Sequence, residues 1–171
     1  MNLLTVGILL TATGLAVYYD LTARRIPNWI SAFVIAYGMT AHVWSGGWTG
    51  LFLSLGGLAI GGGVLLIPYL MGGMGTGDVK LLAAIGSVVG PDGIIIVFIL
   101  TALAGGLLAI FVLLAQRRLV NTSNRVVRLF IDQRLREGVV GGKPTKRSVA
   151  IPYGVAISVG TWGFIGLWAH R

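Results

Sequence analysis

Asp78 stands in a glycine-rich run, Gly75-Thr76-Gly77-Asp78, with long apolar stretches on both sides. The chain has five acidic residues among its 171 residues, so each of them needs a reason to be present. A carboxylate at the edge of a membrane is costly and is a candidate functional group by default. A second acid, Asp20, stands where the first apolar stretch ends. These two acids are the strongest candidates for chemistry in the chain.

Two carboxylates that lie close together cannot both ionise easily, so one of them keeps its proton near neutral pH. The charged carboxylate can take a proton from water, and the neutral one can donate a hydrogen bond to a peptide carbonyl. This is general acid and base hydrolysis, which needs no covalent intermediate, metal or cofactor. The glycines before Asp78 would let an extended peptide approach closely.

Each of these residues also has a structural interpretation. Asp20 precedes Arg24 by four positions, a spacing at which a helical ion pair can form. Asp78 can cap the N-terminus of the helix that follows it, because free backbone N–H groups are available there. Lys80 is explained by topology if its ammonium group extends to the membrane surface.

Composition assigns the chain to the all-α membrane proteins. It is 56% hydrophobic and 11% charged, and its mean hydropathy is +0.88. A soluble domain of this size could not bury so much apolar surface. The absence of cysteine excludes disulfides, thiolate zinc sites and a cysteine nucleophile. His42 and His170 are far apart in sequence, so we predict neither a metal site nor a cofactor.

Hydropathy predicts a polytopic helical bundle with about six transmembrane helices, in a single membrane-embedded domain over residues 1–171. The apolar segments are residues 3–19, 29–44, 51–71, 79–89, 94–115 and 149–169. The fourth segment is too short to cross a bilayer alone. Its helix must include the preceding glycine-rich run, be tilted or buried among neighbouring helices, or end inside the protein.

The basic residues predict the orientation. With six spans, twelve of the thirteen Lys and Arg residues fall on one side, and nine of those twelve lie in the loop at residues 116–148. The positive-inside rule makes that side cytoplasmic and places both termini outside. The net charge of +8 is then explained by topology and by anionic membrane lipids, without a nucleic-acid partner. Asp20 and Asp78 fall on the same, cytoplasmic side.

Three segments resemble the type IV prepilin peptidases. The run from Tyr19 through Asp20, Arg24, Ile26 and Pro27 to Asn28 is similar to their first active-site segment. Gly75-Thr76-Gly77-Asp78 resembles their second segment, the Gly-x-Gly-Asp signature shared with intramembrane aspartyl proteases. Ile151-Pro152-Tyr153-Gly154 resembles a Pro-Tyr-Gly segment near the end of their catalytic domain. The three matches occur in the order found in the family.

The resemblance implies a membrane fold of the Gly-x-Gly-Asp protease type and a peptidase in the cytoplasmic (inner) membrane. Such enzymes cut a short basic leader from prepilin or pseudopilin precursors at the cytoplasmic face. The two catalytic aspartates of the family correspond to Asp20 and Asp78. Residues predicted to support the substrate or the active-site loops are Gly75, Gly77, Lys80, Arg24, Pro27, Asn28, Tyr153 and Gly154.

Longer members of the family carry a cytoplasmic insertion, often with zinc-binding cysteines, and many also methylate the new pilin N-terminus. This chain has no cysteine and only a few residues between its first two apolar segments. It therefore resembles the short form found with tight-adherence (Flp/Tad) pili, and we predict cleavage without methylation. Archaeal preflagellin peptidases are another short branch of the same enzyme class.

Two other functions are compatible with the residues alone. A proton-coupled transporter can also contain glycine-broken helices and a membrane-edge carboxylate. A catalytically silent subunit of a pilus assembly machine would keep the same topology without using either acid. The position of the acids at the membrane edge, rather than at its midplane, favours the peptidase.

Overall fold

The computed structural model describes residues 2–23, 25–71, 74–115 and 153–169. Regular structure within these ranges is α-helical, as predicted. The helices are α1 (Leu3–Ala23), α2 (Asn28–Leu70), α3 (Thr76–Ala115) and α4 (Tyr153–Ala169). Arg24, His170 and the basic loop at residues 116–148 lie outside the described residues.

The helices are long and apolar enough to form a membrane protein. In the described part of the chain, three segments meet the length and hydropathy expected of a membrane-spanning helix: Leu3–Ala23, Asn28–Leu70 and Thr76–Phe111. The fourth helix, Tyr153–Ala169, is apolar but shorter. Large side chains such as Leu103 and Leu107 are more than half exposed on the helix surfaces. Lipid is the environment in which so many exposed apolar side chains are stable.

α2 reverses direction within its length. Gly47 has φ 56° and ψ −134°, which interrupts the helical backbone. A methyl group on Gly50 would overlap the backbone carbonyl of His42. Residues eight apart on a continuous helix are about 12 Å from each other, so this contact requires the chain to fold back. α2 therefore consists of two antiparallel arms, residues 28–46 and 48–70.

α3 reverses in the same way at Gly90, where φ is 76° and ψ is −179°. A Cβ atom placed on Gly86 would lie 3.3 Å from Cγ1 of Ile94, again across eight residues. Pro91 follows Gly90 directly. Its fixed φ and missing N–H suit the first position of a new helical segment. The arms of α3 are residues 76–89 and 91–115.

The first arm of α3 lies at the centre of the bundle. Residues 81–88 are all buried, although neighbouring helices expose one face. Glycines make this possible, because Gly57 on α2 and Gly86 on α3 approach so closely that a Cβ atom on either would overlap the other's carbonyl. The buried Ser54 hydroxyl donates to the Ser87 carbonyl at 2.9 Å beside this contact. Central burial explains how so short an apolar segment is accommodated.

The chain divides into two compact units, Met1–Gly105 with Pro152–Arg171, and Gly106–Ile151. The first unit contains α1, α2, α4 and the part of α3 up to Gly105, with the buried apolar core. The second is described only over residues 106–115. The single domain and the role of the basic loop stay predictions.

The glycine contact between α2 and α3 can be tested by a matched pair of substitutions. Gly57→Ala should lower the thermal unfolding midpoint in detergent, because overpacking a close contact costs about 1–3 kcal/mol. Gly63 lies in the same arm of α2 and has no atom within 4 Å of its Cβ position. Gly63→Ala should keep or raise the midpoint, because alanine favours helix by up to about 1 kcal/mol over glycine. Equal midpoints for the two variants would contradict the close approach.

Candidate active site

Asp20 lies near the C-terminal end of α1 and faces the beginning of α4. The backbone N–H of Gly154 donates a hydrogen bond to Oδ2 of Asp20 at 3.0 Å, and the Asp20 side chain is half-buried. Gly154 is the second residue of α4, where backbone N–H groups have no partner within the helix. A carboxylate at this place also interacts favourably with the helix dipole. Asp20 therefore joins the end of one helix to the start of another.

Asp78 lies in the first turn of α3 and caps it. The helix begins at Thr76, and the Asp78 carboxylate makes a hydrogen bond with the backbone of Gly75. An acidic side chain at the third helical position commonly reaches back in this way to the residue before the helix. The capping interpretation of Asp78 is thus supported. Capping is compatible with a catalytic role, since a carboxylate offers about four acceptor positions.

The two carboxylates share one site. The charge of Asp20 acts on Asp78, so the two side chains lie within electrostatic range of each other. Tyr153, the residue before Gly154, is within range of the Asp78 charge as well. Asp20, Asp78, Tyr153 and Gly154 therefore form one cluster, which we call the carboxylate site. Its members come from α1, α3 and α4.

Two glycines pack closely against the carboxylate site, and at Gly154 a side chain would not fit. A Cβ atom on Gly154 would lie 2.8 Å from Oδ2 and 3.1 Å from Cγ of Asp20. On Gly105 of α3, a Cβ atom would lie 3.4 Å from the ring and hydroxyl of Tyr153. The first contact lets the α4 backbone reach the carboxylate, and the second gives the Tyr153 ring a flat surface to lie against.

The segment between α1 and α2 covers the glycine loop before Asp78. A Cβ atom on Gly77 would lie 3.1 Å from Cβ of Ile26, so these backbones are close together. Pro27, in extended conformation, precedes α2, and its carbonyl accepts the Ile30 N–H at 3.2 Å. At the exposed edge, the Lys80 ammonium donates to Oδ1 of Asn28 at 3.0 Å. This hydrogen bond joins the starts of α2 and α3.

The structure thus brings together most of the residues singled out from the sequence. Asp20, Asp78, Tyr153 and Gly154 form the carboxylate site, whereas Gly75, Gly77, Pro27, Asn28 and Lys80 position the loops beside it. Arg24 lies outside the described residues, so its predicted support of the active-site loops stays a prediction, and the alternative of an ion pair with Asp20 stays open. Two contacts were not predicted from the sequence: that of Ile26 with Gly77, and that of Gly105 with Tyr153. Ile26 had a signal, because it stands inside the first active-site segment, but nothing in the sequence marked Gly105 as a partner of Tyr153.

The described residues contain no group of three or more His, Cys, Asp or Glu side chains that could hold a metal ion.

The chain matches the model of a known protein family. The model of the type IV leader peptidase family matches residues 7–110, which include both Asp20 and Asp78. The chain belongs to the type IV leader peptidase family. The resemblance to this family is confirmed, and membership supports a leader peptidase function for the chain. Comparison with curated proteins and with solved structures gave no match.

The close contact at Gly154 predicts that this leader peptidase family member tolerates no side chain there. Gly154→Ala should lower peptidase activity by about a hundredfold, because a displacement of about 1 Å at reacting groups can cost that much. Gly166 lies in the same helix and has no atom within 4 Å of its Cβ position. Gly166→Ala is therefore the control and should keep wild-type activity in the same precursor-cleavage assay. Wild-type activity in Gly154→Ala would mean that the Asp20 contact is dispensable.

Proposed function

We propose that the chain is a membrane aspartyl endopeptidase that removes the short leader from type IV prepilins of the Flp/Tad class, with Asp20 and Asp78 as its catalytic residues. The observation that carries the proposal is that the carboxylates of Asp20 and Asp78 lie within electrostatic range of each other. Family membership supports the reaction class, because type IV leader peptidases act on leader-bearing precursors. The acids come from different helices, so their proximity is a property of the fold and not of local sequence.

The reaction follows from the chemistry of the pair. The ionised carboxylate takes a proton from a water molecule while the water oxygen attacks the carbonyl carbon of the scissile peptide. The protonated carboxylate donates its proton to the carbonyl oxygen and stabilises the tetrahedral intermediate. The C–N bond then breaks as the leaving nitrogen receives a proton from the pair. The products are a free leader carboxylate and a free pilin N-terminus, and no cofactor is consumed.

The position of the site suits a substrate that enters from the membrane edge. Asp20 precedes the end of α1 by three residues, and Asp78 and Gly154 lie in the first turns of α3 and α4. Lys80 and Asn28, which are exposed, lie beside the site and can interact with water or lipid head groups. A precursor with an apolar helix in the membrane would present the residues just before that helix at this level.

Six membrane crossings agree with the reversals at Gly47 and Gly90. We infer that each arm of α2 and α3 crosses the membrane once, with α1 and α4 providing the other crossings. Trp44 and Trp48 flank the Gly47 reversal and are 92% and 78% exposed. Tryptophan is enriched at membrane–water interfaces. The carboxylate site then lies at the cytoplasmic face of the inner membrane, with both termini on the other side.

The substrate class and the absence of methylation rest on the short connection between α1 and α2. Ala23 and Asn28 bound this connection, which leaves no room for an inserted domain at that place. We therefore propose that the enzyme releases an unmethylated pilin N-terminus. The mass of the mature pilin after co-expression reports this directly, because each methyl group adds about 14 Da to that N-terminus.

Asp20→Asn and Asp78→Asn should each abolish cleavage of a co-expressed prepilin, because either substitution removes one partner of the acid and base pair. Asparagine preserves side-chain size, so both variants should accumulate in the membrane at wild-type levels. Asp92 is an exposed acid at the Gly90 reversal, and Asp92→Asn is the matched control that should cleave normally. Full cleavage by either variant of the pair would remove that residue from the mechanism. Piliation supported by both variants would favour a silent assembly role.

The proposed orientation can be read by labelling single cysteines, because the chain has none of its own. Ser45 is exposed next to the Gly47 reversal, and Arg25 is exposed between α1 and α2. A membrane-impermeant maleimide should label Ser45→Cys in intact spheroplasts and Arg25→Cys only after permeabilisation. Labelling in the opposite order would place the carboxylate site on the wrong side of the membrane for a cytoplasmic leader.

A further inference from the structure

α1 and α4 are joined by buried polar groups at a distance from the carboxylate site. Thr13 and Ser158 are completely buried. The indole N–H of Trp162 donates to Oγ1 of Thr13 at 2.8 Å. Oγ of Ser158 lies 3.1 Å from the carbonyl oxygen of Thr13 and 2.8 Å from that of Gly154, and its one hydroxyl proton is shared between them. Interhelical hydrogen bonds of this kind stabilise helix pairs in lipid.

These contacts lie on the helix faces that meet at Asp20. Thr13 precedes Asp20 by seven residues, which is two turns, so both project from the same side of α1. Gly154, Ser158 and Trp162 are spaced by four residues and share one side of α4. The pairs Asp20–Gly154, Thr13–Ser158 and Thr13–Trp162 therefore belong to one antiparallel register. The polar contacts lie about 10 Å along α1 from the carboxylate.

Apolar packing and hydrogen bonds both contribute to this register. The buried residues of α4 include Ile157 and Phe164 of the apolar core, beside the small residues Ala156 and Gly160. Small residues let helices approach closely, but in lipid no hydrophobic force favours one sliding position over another. A directional hydrogen bond does favour one position, because a shift along the helix leaves a buried donor without an acceptor.

We propose that Thr13, bonded by Ser158 and Trp162, is a positioning residue of the peptidase: it sets the register of α4 on α1 and so holds the Gly154 N–H against Asp20. This inference rests on the proposed function. Thr13 acts through the backbone of α4 and does not itself contact the reacting atoms. The hydroxyl of Thr13 is the essential group, because it accepts from Trp162 and also donates to the Leu9 carbonyl at 2.6 Å.

The first test measures cleavage kinetics. Thr13→Val replaces the hydroxyl by a methyl group of similar size, and Thr13→Ser restores the hydroxyl. Thr161 is the matched control, since it is fully buried in α4 and its hydroxyl donates to the Ile157 carbonyl of its own helix. Thr13→Val should lower kcat by about tenfold or more with KM within about twofold, because a misplaced group loses rate rather than substrate affinity. Thr13→Ser and Thr161→Val should stay near wild type.

The second test reads the register without any enzymatic activity. A Cβ atom on Gly154 would lie 3.2 Å from Cβ of Asp20, near the separation of about 3.5–4.5 Å found in disulfides. In the cysteine-free chain, Asp20→Cys combined with Gly154→Cys should form a disulfide in membranes on mild oxidation. Adding Thr13→Val should slow its formation at least about fivefold, and adding Thr161→Val should not. Trp162→Phe, which removes the N–H but keeps a ring, repeats the comparison if Thr13→Val does not accumulate.

The two tests separate this inference from the proposed function. If the wild-type chain cuts no prepilin but Thr13→Val still slows the disulfide, the register holds and the proposed function fails. If the wild type cuts and Thr13→Val changes neither kcat nor disulfide formation, the proposal for Thr13 is overturned. If Thr13→Val and Thr161→Val lower kcat and slow the disulfide equally, the hydrogen bonds of Thr13 contribute only to the general stability of the helices. That result would also overturn the proposal for Thr13.

Discussion

The backbone approach between α2 and α3 at Gly57 and Gly86 is the constraint on which the architecture depends. A helix packed on one side exposes the other to lipid, but the first arm of α3 is buried over residues 81–88. Burial on all sides demands neighbours that come closer than ordinary side chains allow. Glycine satisfies this demand at the cost of side-chain packing, and Ser54 adds a hydrogen bond to the Ser87 carbonyl. Asp78 begins this central arm and is therefore presented to the other helices.

The carboxylate site is built from helix ends. Asp20 binds a free N–H at the start of α4, and Asp78 binds the residue before α3. Both acids thus complete the backbone hydrogen bonding of helices as well as forming the site. This explains how costly carboxylates are retained at the edge of an apolar bundle: each is held by an amide that would otherwise lack a partner. The structural and catalytic interpretations of these residues are compatible, since a carboxylate has several acceptor positions.

Much of this arrangement is predictable from the sequence, and the parts that are not have physical reasons. The helical class follows from hydropathy, and the pairing of Asp20 with Asp78 follows from their position at the same predicted side. The place of the short segment around residues 81–88 stays ambiguous, because length alone does not distinguish a tilted helix from a central one. The network of Thr13, Ser158 and Trp162 has no signal either, because isolated hydroxyls in apolar stretches usually bond within their own helix. Arg24 and the basic loop at residues 116–148 lie outside the described residues.

The hydrogen bond between Gly154 and Asp20 joins residues that are 134 positions apart in the chain. During synthesis, both aspartates emerge well before α4, yet Asp20 has no α4 amide to bind until that helix has entered the membrane. A nascent chain that stops after α3 holds both acids in an incomplete site. The order of residues along the chain therefore delays completion of the carboxylate site until α4 has been made.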